Sequence, residues 1–137
     1  MGRFWRLGFV GASRSRRTSL VERGDIPLVS LDPSVGAEQT KVRLVIVVSS
    51  NAANTSAERR GSGVITIVPL TSNVATIYPF QVLIRPSESG LLIDSKAQAQ
   101  AEQVRSLSTT RIVRQIGAVS APRMRDVDDA LRLHLSL

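Results

Sequence analysis

The chain has 137 residues, 42% of them hydrophobic, with 18 basic and 11 acidic side chains, one histidine and no cysteine. That length fits one domain with a modest core. The missing cysteines exclude a disulfide framework, a thiolate metal site and a cysteine nucleophile, and they fit a reducing cytoplasm; a single histidine excludes paired-histidine acid–base chemistry.

The formal net charge of +7 is unevenly spread. Residues 1–20 carry Arg3, Arg6, Arg14, Arg16 and Arg17 and no acid, whereas residues 21–137 carry 13 basic and 11 acidic side chains. Anion binding by the globular part therefore has to come from locally placed arginines rather than from a bulk positive field. No apolar run approaches a membrane span. The Arg- and Ser-rich tail has three readings. It has the composition of a transit peptide; its apolar stretch from Leu7 to Ala12 is short for a signal peptide; or it lies outside the native protein, whose domain would start at Val21. An over-extended gene start or a disordered tail is the expectation, with residues 21–137 as the domain. A chain starting at Val21 is expected to fold and to keep its activity, and loss of folding would contradict this.

In chain order, Asp25 to Leu31 reads as a strand in which Pro27 is awkward, because proline supplies no ladder donor. Asp32 to Thr40 has turn chemistry. Arg43 to Ser49 is a second strand, and its continuous run Leu44-Val45-Ile46-Val47-Val48 predicts burial on both faces. Ser50 to Ser62 is polar, with room for one or two helical turns. Val64 to Val68 is a strand that Pro69 should close, and Thr71-Ser72-Asn73 follows as a loop. Phe80 to Ile84 is a strand, Ser87 to Gly90 a hairpin-like turn, Leu91 to Ile93 a short strand and Ala101 to Leu107 another. A turn at Ser108-Thr109-Thr110 precedes a last strand, Ile112 to Ile116. Ser120 caps a helix with Pro122 in its first turn, and Met124, Val127, Leu131 and Leu135 form its apolar face. Short strands with turn signals and one closing helix predict a mainly β fold with a C-terminal helix, built as a small antiparallel barrel or curled sheet.

Several residues can carry chemistry. Arg43 stands where a loop meets a buried strand, a place where a guanidinium either snorkels into solvent or handles a phosphate. Thr71 is either a turn residue bonding local backbone or a hydroxyl donor. Glu38 and Gln39 lie in the first loop. Tyr78 can stack on a base, although core packing is the commoner use. Phe80 and Val82 read as core. Gln103 and Arg105 alternate to one side of a strand, Glu102 and Val104 to the other. Such a Gln/Arg pair suits base edges and phosphates or, equally, a polar dimer interface. His134 reads as a surface or helix-end residue.

The segments Arg23-Gly24-Asp25-Ile26, Leu31-Asp32-Pro33, Gly36-Ala37-Glu38-Gln39 and Lys41-Val42-Arg43 are followed by Val68-Pro69-Leu70-Thr71-Ser72, Tyr78-Pro79-Phe80-Gln81-Val82 and Glu102-Gln103-Val104-Arg105-Ser106-Leu107. In this order they resemble the MazF/PemK toxins, small bacterial endoribonucleases that cut messenger RNA, and the resemblance covers residues 22–136. It implies a CcdB/PemK-like barrel of the Src-homology-3 type. It also implies cleavage of single-stranded RNA without metal or cofactor, by attack of the ribose 2′-hydroxyl on the adjacent phosphate. Arg43 and Thr71 would stabilise the phosphorane and Glu38 is the candidate proton acceptor. Gln39, Lys41, Ser72, Tyr78, Gln103 and Arg105 would contact RNA. A homodimer and a cognate antitoxin are implied as partners.

The chain departs from the family pattern at Leu44 (usually proline), Pro27 (usually aromatic) and Ser30 (usually aspartate). These departures keep a non-catalytic RNA-binding relative in play beside a CcdB-type gyrase poison. Relatives typically read Asp-Ser/Cys-Lys-Ala-Gln-Ala-Glu-Gln where Asp94 to Gln103 here has an extra Ala-Gln. Two residues keep strand parity, so this insertion is expected to perturb activity less than a one-residue deletion, which would turn Gln103 and Arg105 to the wrong side.

Overall fold

Alternating burial along short β-branched segments sets the architecture. The computed structural model describes residues 21–31, 41–89 and 97–137. Seven strands pair antiparallel: β1 (Asp25–Ser30), β2 (Val42–Val47), β3 (Val64–Thr71), β4 (Gln81–Ile84), β5 (Ala97–Gln100), β6 (Arg105–Ser108) and β7 (Ile112–Ala118). Helix α1 (Asn51–Arg59) lies between β2 and β3, and helix α2 (Ala121–Leu135) follows β7. The strand order is β4-β5-β3-β2-β1-β7, with β6 also paired to β3. Among the described residues no pairing joins β4 to β7. The expected mainly β fold with a C-terminal helix is therefore present as an open sheet, a barrel only in a loose sense.

The sheet is buried on both faces. Ile46, Val68, Leu70, Val82, Ile84 and Ala99 form one apolar cluster with Met124, Val127 and Ala130 of α2. Val29, Val45, Val47, Ile65 and Ile67 form a second with Ala57 of α1. The alternation of Val45, Ile46 and Val47 between these clusters is what an unbroken apolar run does in a strand covered on both sides.

The helices begin as their caps dictate. Ser50 Oγ accepts from the Ala53 amide at 3.2 Å, and Ser120 Oγ accepts from the Arg123 amide at 3.4 Å. Gly63 is required by close packing, because a Cβ there would sit 2.4 Å from the Cα of Ala57. Arg23 ties distant pieces together. Its amide donates to Asn51 Oδ1 at 2.7 Å and its Nε to the Val48 carbonyl at 3.0 Å, while its guanidinium pairs with Asp128 of α2. No helix among the described residues is long and apolar enough to cross a membrane.

Several expectations are corrected. Pro69 does not end its strand; β3 runs through it to Thr71. It falls where β3 changes partner, after Ile67 (opposite Arg105 of β6) and before Leu70 (opposite Ala99 of β5). The ladder on that edge is already interrupted there, so a missing amide is tolerated. Pro27 stays within β1 because irregularities in the β7 pairing flank it, and pairing to β2 begins only at Leu28. Ala101 to Leu107 is not one strand. A 3-10 turn at Ala101–Gln103 separates β5 from β6, so parity is not carried through it by a single pleat.

On α2, Leu135 is exposed and Ala130 takes the buried place. Ser87 lies in a 3-10 turn, Pro86–Glu88, rather than in a hairpin. Ser108 caps the expected turn, Thr109–Arg111. The Asp32–Thr40 loop, with Glu38 and Gln39, and the Leu91–Ile93 strand lie outside the described residues.

Candidate active site

Thr71 ends β3, and Arg43 lies near the start of β2. The β2–β3 register sets Val45 opposite Pro69; continued by two residues, it brings Arg43 level with Thr71. The side chain confirms the placement, since Arg43 Nη2 donates to the Leu70 carbonyl at 3.2 Å. One anchored nitrogen holds the guanidinium, whose other donors meet no partner among the described residues, beside the threonine. Thr71 Oγ1 accepts from the Asn73 amide at 3.2 Å. This is the local turn bond considered above, and it uses an oxygen lone pair. The hydroxyl proton remains available to donate, so the turn bond orients the donor instead of consuming it.

The same face of the sheet continues into a polar cleft. Thr71 lies opposite Gln98 of β5, and Gln100 lies opposite Gln81 of β4. Cross-strand partners and i, i+2 residues share a face, so these four side chains line one wall. The cleft has a volume of about 320 Å³, and Asn73, Ala75, Thr76 and Tyr78 complete its lining. Gln81 is fixed at both ends, its Oε1 accepting from the Tyr78 amide at 3.0 Å and its Nε2 donating to Glu102 Oε2 at 2.8 Å.

The remaining expected residues fall around this corner. Lys41, two residues before Arg43, and Ser72, which follows Thr71, are both exposed. Tyr78 is not core. It is 52% exposed and stacks on Phe80, with ring centroids 5.6 Å apart. Phe80 is only half-buried, whereas Val82 is core as expected. Gln103 lies in the 3-10 turn and Arg105 in β6, both exposed, while Glu102 and Val104 are partly covered. Arg105 pairs with Ile67, which is on the same face as Thr71 but four residues earlier, about 13 Å along the strand. Arg43 and Thr71 are thus brought together, and Arg105 lies further along their face. His134 is exposed at the end of α2, as expected, with its ring 6.2 Å from Phe80.

The sequence reading missed Gln98, Gln100, Gln81 and Asn73. The signal for the first two was the Ala97-Gln98-Ala99-Gln100 alternation, a two-residue period that puts both glutamines on one face. A larger cleft of about 400 Å³ lies between β4 and α2. Its Asp126 and Asp129 are unsuited to a phosphate backbone.

An open antiparallel sheet with a C-terminal helix, carrying an arginine and a threonine side by side at the end of two central strands, is the setting for the comparisons with known proteins. Residues 22–135 match the PemK-like, MazF-like toxins of type II toxin–antitoxin systems, and the chain belongs to that family. It is 51% identical over 118 residues to the endoribonuclease MazF9 of Mycobacterium tuberculosis, covering 86% of this chain and 98% of that one. Among solved structures, the fold matches a MazE–MazF crystal structure from Deinococcus radiodurans with TM-score 0.66, 23% identity and coverage of 86% of this chain and 97% of that one. It also matches a mycobacterial endoribonuclease in complex with its cognate antitoxin, with TM-score 0.63, 22% identity and coverage of 85% and 96%.

Proposed function

We propose that this chain is the endoribonuclease toxin of a toxin–antitoxin pair, cutting single-stranded messenger RNA at preferred sequences in the cytoplasm without a metal ion. Kinship with an endoribonuclease at 51% identity supports the activity. The observation that carries the site is the bond from Arg43 Nη2 to the Leu70 carbonyl, which sets a permanently charged guanidinium beside the Thr71 hydroxyl.

The chemistry follows from those two groups. A base removes the ribose 2′-hydroxyl proton, and the 2′-oxygen forms a bond to the adjacent phosphorus. Negative charge grows on the non-bridging oxygens of the phosphorane. Arg43 offers planar, charge-assisted donors to those oxygens and Thr71 offers its hydroxyl proton. The bond from phosphorus to the 5′-oxygen breaks, and that oxygen takes up a proton. The products are a cyclic phosphate and a 5′-hydroxyl. Arginine stays protonated and serves poorly as the base; Glu38 is assigned that role. Gln39, Lys41, Ser72, Tyr78, Gln103 and Arg105 hold the unstacked strand. A homodimer holds RNA across its interface, and a cognate antitoxin segment occupies the same groove.

The test incubates purified protein with long RNA in chelator and maps the cut ends, beside a DNA-gyrase supercoiling assay. Cleavage that falls at least about 100-fold in Arg43→Ala supports the proposal. Supercoiling inhibition without cleavage would replace it with a gyrase poison, and RNA binding without cleavage with a non-catalytic relative.

A further inference from the structure

We propose that Gln98 reads the base of a nucleotide flanking the cleaved bond, seated in the cleft between Thr71 and Tyr78. The inference rests on the ribonuclease reading and adds a specificity residue to it. Gln98 is only 3% exposed, yet its Oε1 has no hydrogen-bond partner among the described residues. Buried polar atoms are almost always paired, and the cleft's other glutamine with defined contacts, Gln81, has both ends of its amide bonded. The unmatched acceptor belongs to a side chain that lines the cleft and lies directly opposite Thr71 in the β3–β5 register.

The strand is built to present it. Ala97 and Ala99 are buried against the α2 side, so the alternation turns Gln98 and Gln100 into the cleft. The small alanines belong to the core while the longer glutamines line the cleft. A glutamine amide offers an acceptor and two donors in one plane, which matches the paired donor and acceptor on a base edge. The volume of about 320 Å³ is at the lower end of small-ligand pockets. Tyr78 adds an exposed aromatic face at the wall, on which a base can stack. Because Thr71 is the hydroxyl assigned to the scissile phosphate, a base beside it belongs to an adjoining nucleotide.

The experiment compares cut-site maps from the full chain and from Gln98→Leu, Gln98→Glu and Gln98→Asn on one long RNA, with Gln115→Leu as a control. Gln115 also has a buried Oε1 without a partner among the described residues, but it lies in β7, away from the cleft. The expected result is a change of preference at one position next to the cut, by roughly 10- to 100-fold, in the Gln98 variants only. Gln98→Glu, which has acceptors alone, should shift that position toward bases presenting an amine. If the parent chain cuts and every active Gln98 variant keeps its pattern, the inference fails while the ribonuclease reading stands. If all three variants fold, as judged by unfolding midpoint, yet cut nowhere, Gln98 is not a base reader and the inference also fails. If the parent does not cut, the ribonuclease reading itself is lost. Should Gln98→Leu fail to fold, the Glu and Asn variants decide.

Discussion

The two halves of β3 present the same face to opposite fates. From Val64 to Ile67 the strand pairs with β6, and Ile65 and Ile67 are buried in one cluster with Ala57 of α1. From Leu70 to Thr71 it pairs with β5, and the same face opens into a cleft lined by amides and a hydroxyl. One proline and a three-residue turn separate the dry half from the wet half. A site can thus be made by stopping a core short: the strand supplies rigidity where it is covered and chemistry where its cover ends.

The contrast can be broken first on the dry side. Ile67→Ala should cost about 2–5 kcal/mol, seen as a lower urea midpoint with little change in slope, and activity should fall only as folded protein is lost. On the wet side the outcome should invert. Arg43→Ala is exposed and should leave the midpoint within about 0.5 kcal/mol, while cleavage collapses as stated above. A smaller effect is expected at Thr71. Thr71→Val removes the hydroxyl but keeps the shape, and should slow single-turnover cleavage about 10- to 100-fold; Thr71→Ser should recover most of it. The smallest effect lies outside both halves. Ser120→Ala removes the α2 cap for about 1 kcal/mol of stability, with no change in the rate per folded molecule.

Much of the covered half was legible in the sequence, because β-branched runs and helix caps act locally. The run Leu44 to Val48 and the cap Ser120 behave as their chemistry dictates. Pro69 was misread because its tolerance depends on a partner change that no local pattern encodes. β5 was missed because alanine and glutamine are poor strand formers; its alternation was visible, but tertiary pairing with Thr71 decides its state. For Tyr78, core packing was the commoner of two readings, yet it rests on Phe80 and is exposed. The nearness of Arg43 and Thr71 was anticipated from family likeness alone, since 27 residues of chain separate Arg43 from the carbonyl it bonds.

Arg23 has a consequence for how the sheet keeps its form. It sits just before β1, next to the β7 end of the sheet, and its guanidinium grips α2, which packs on β4 at the other end. Helix and arginine together act as a clasp across an opening that main-chain pairing leaves unclosed. A fully closed barrel must reconcile its stagger around the whole circumference. A clasped sheet has no such condition, so the pairing on one edge of β3 can jump by three residues between β6 and β5.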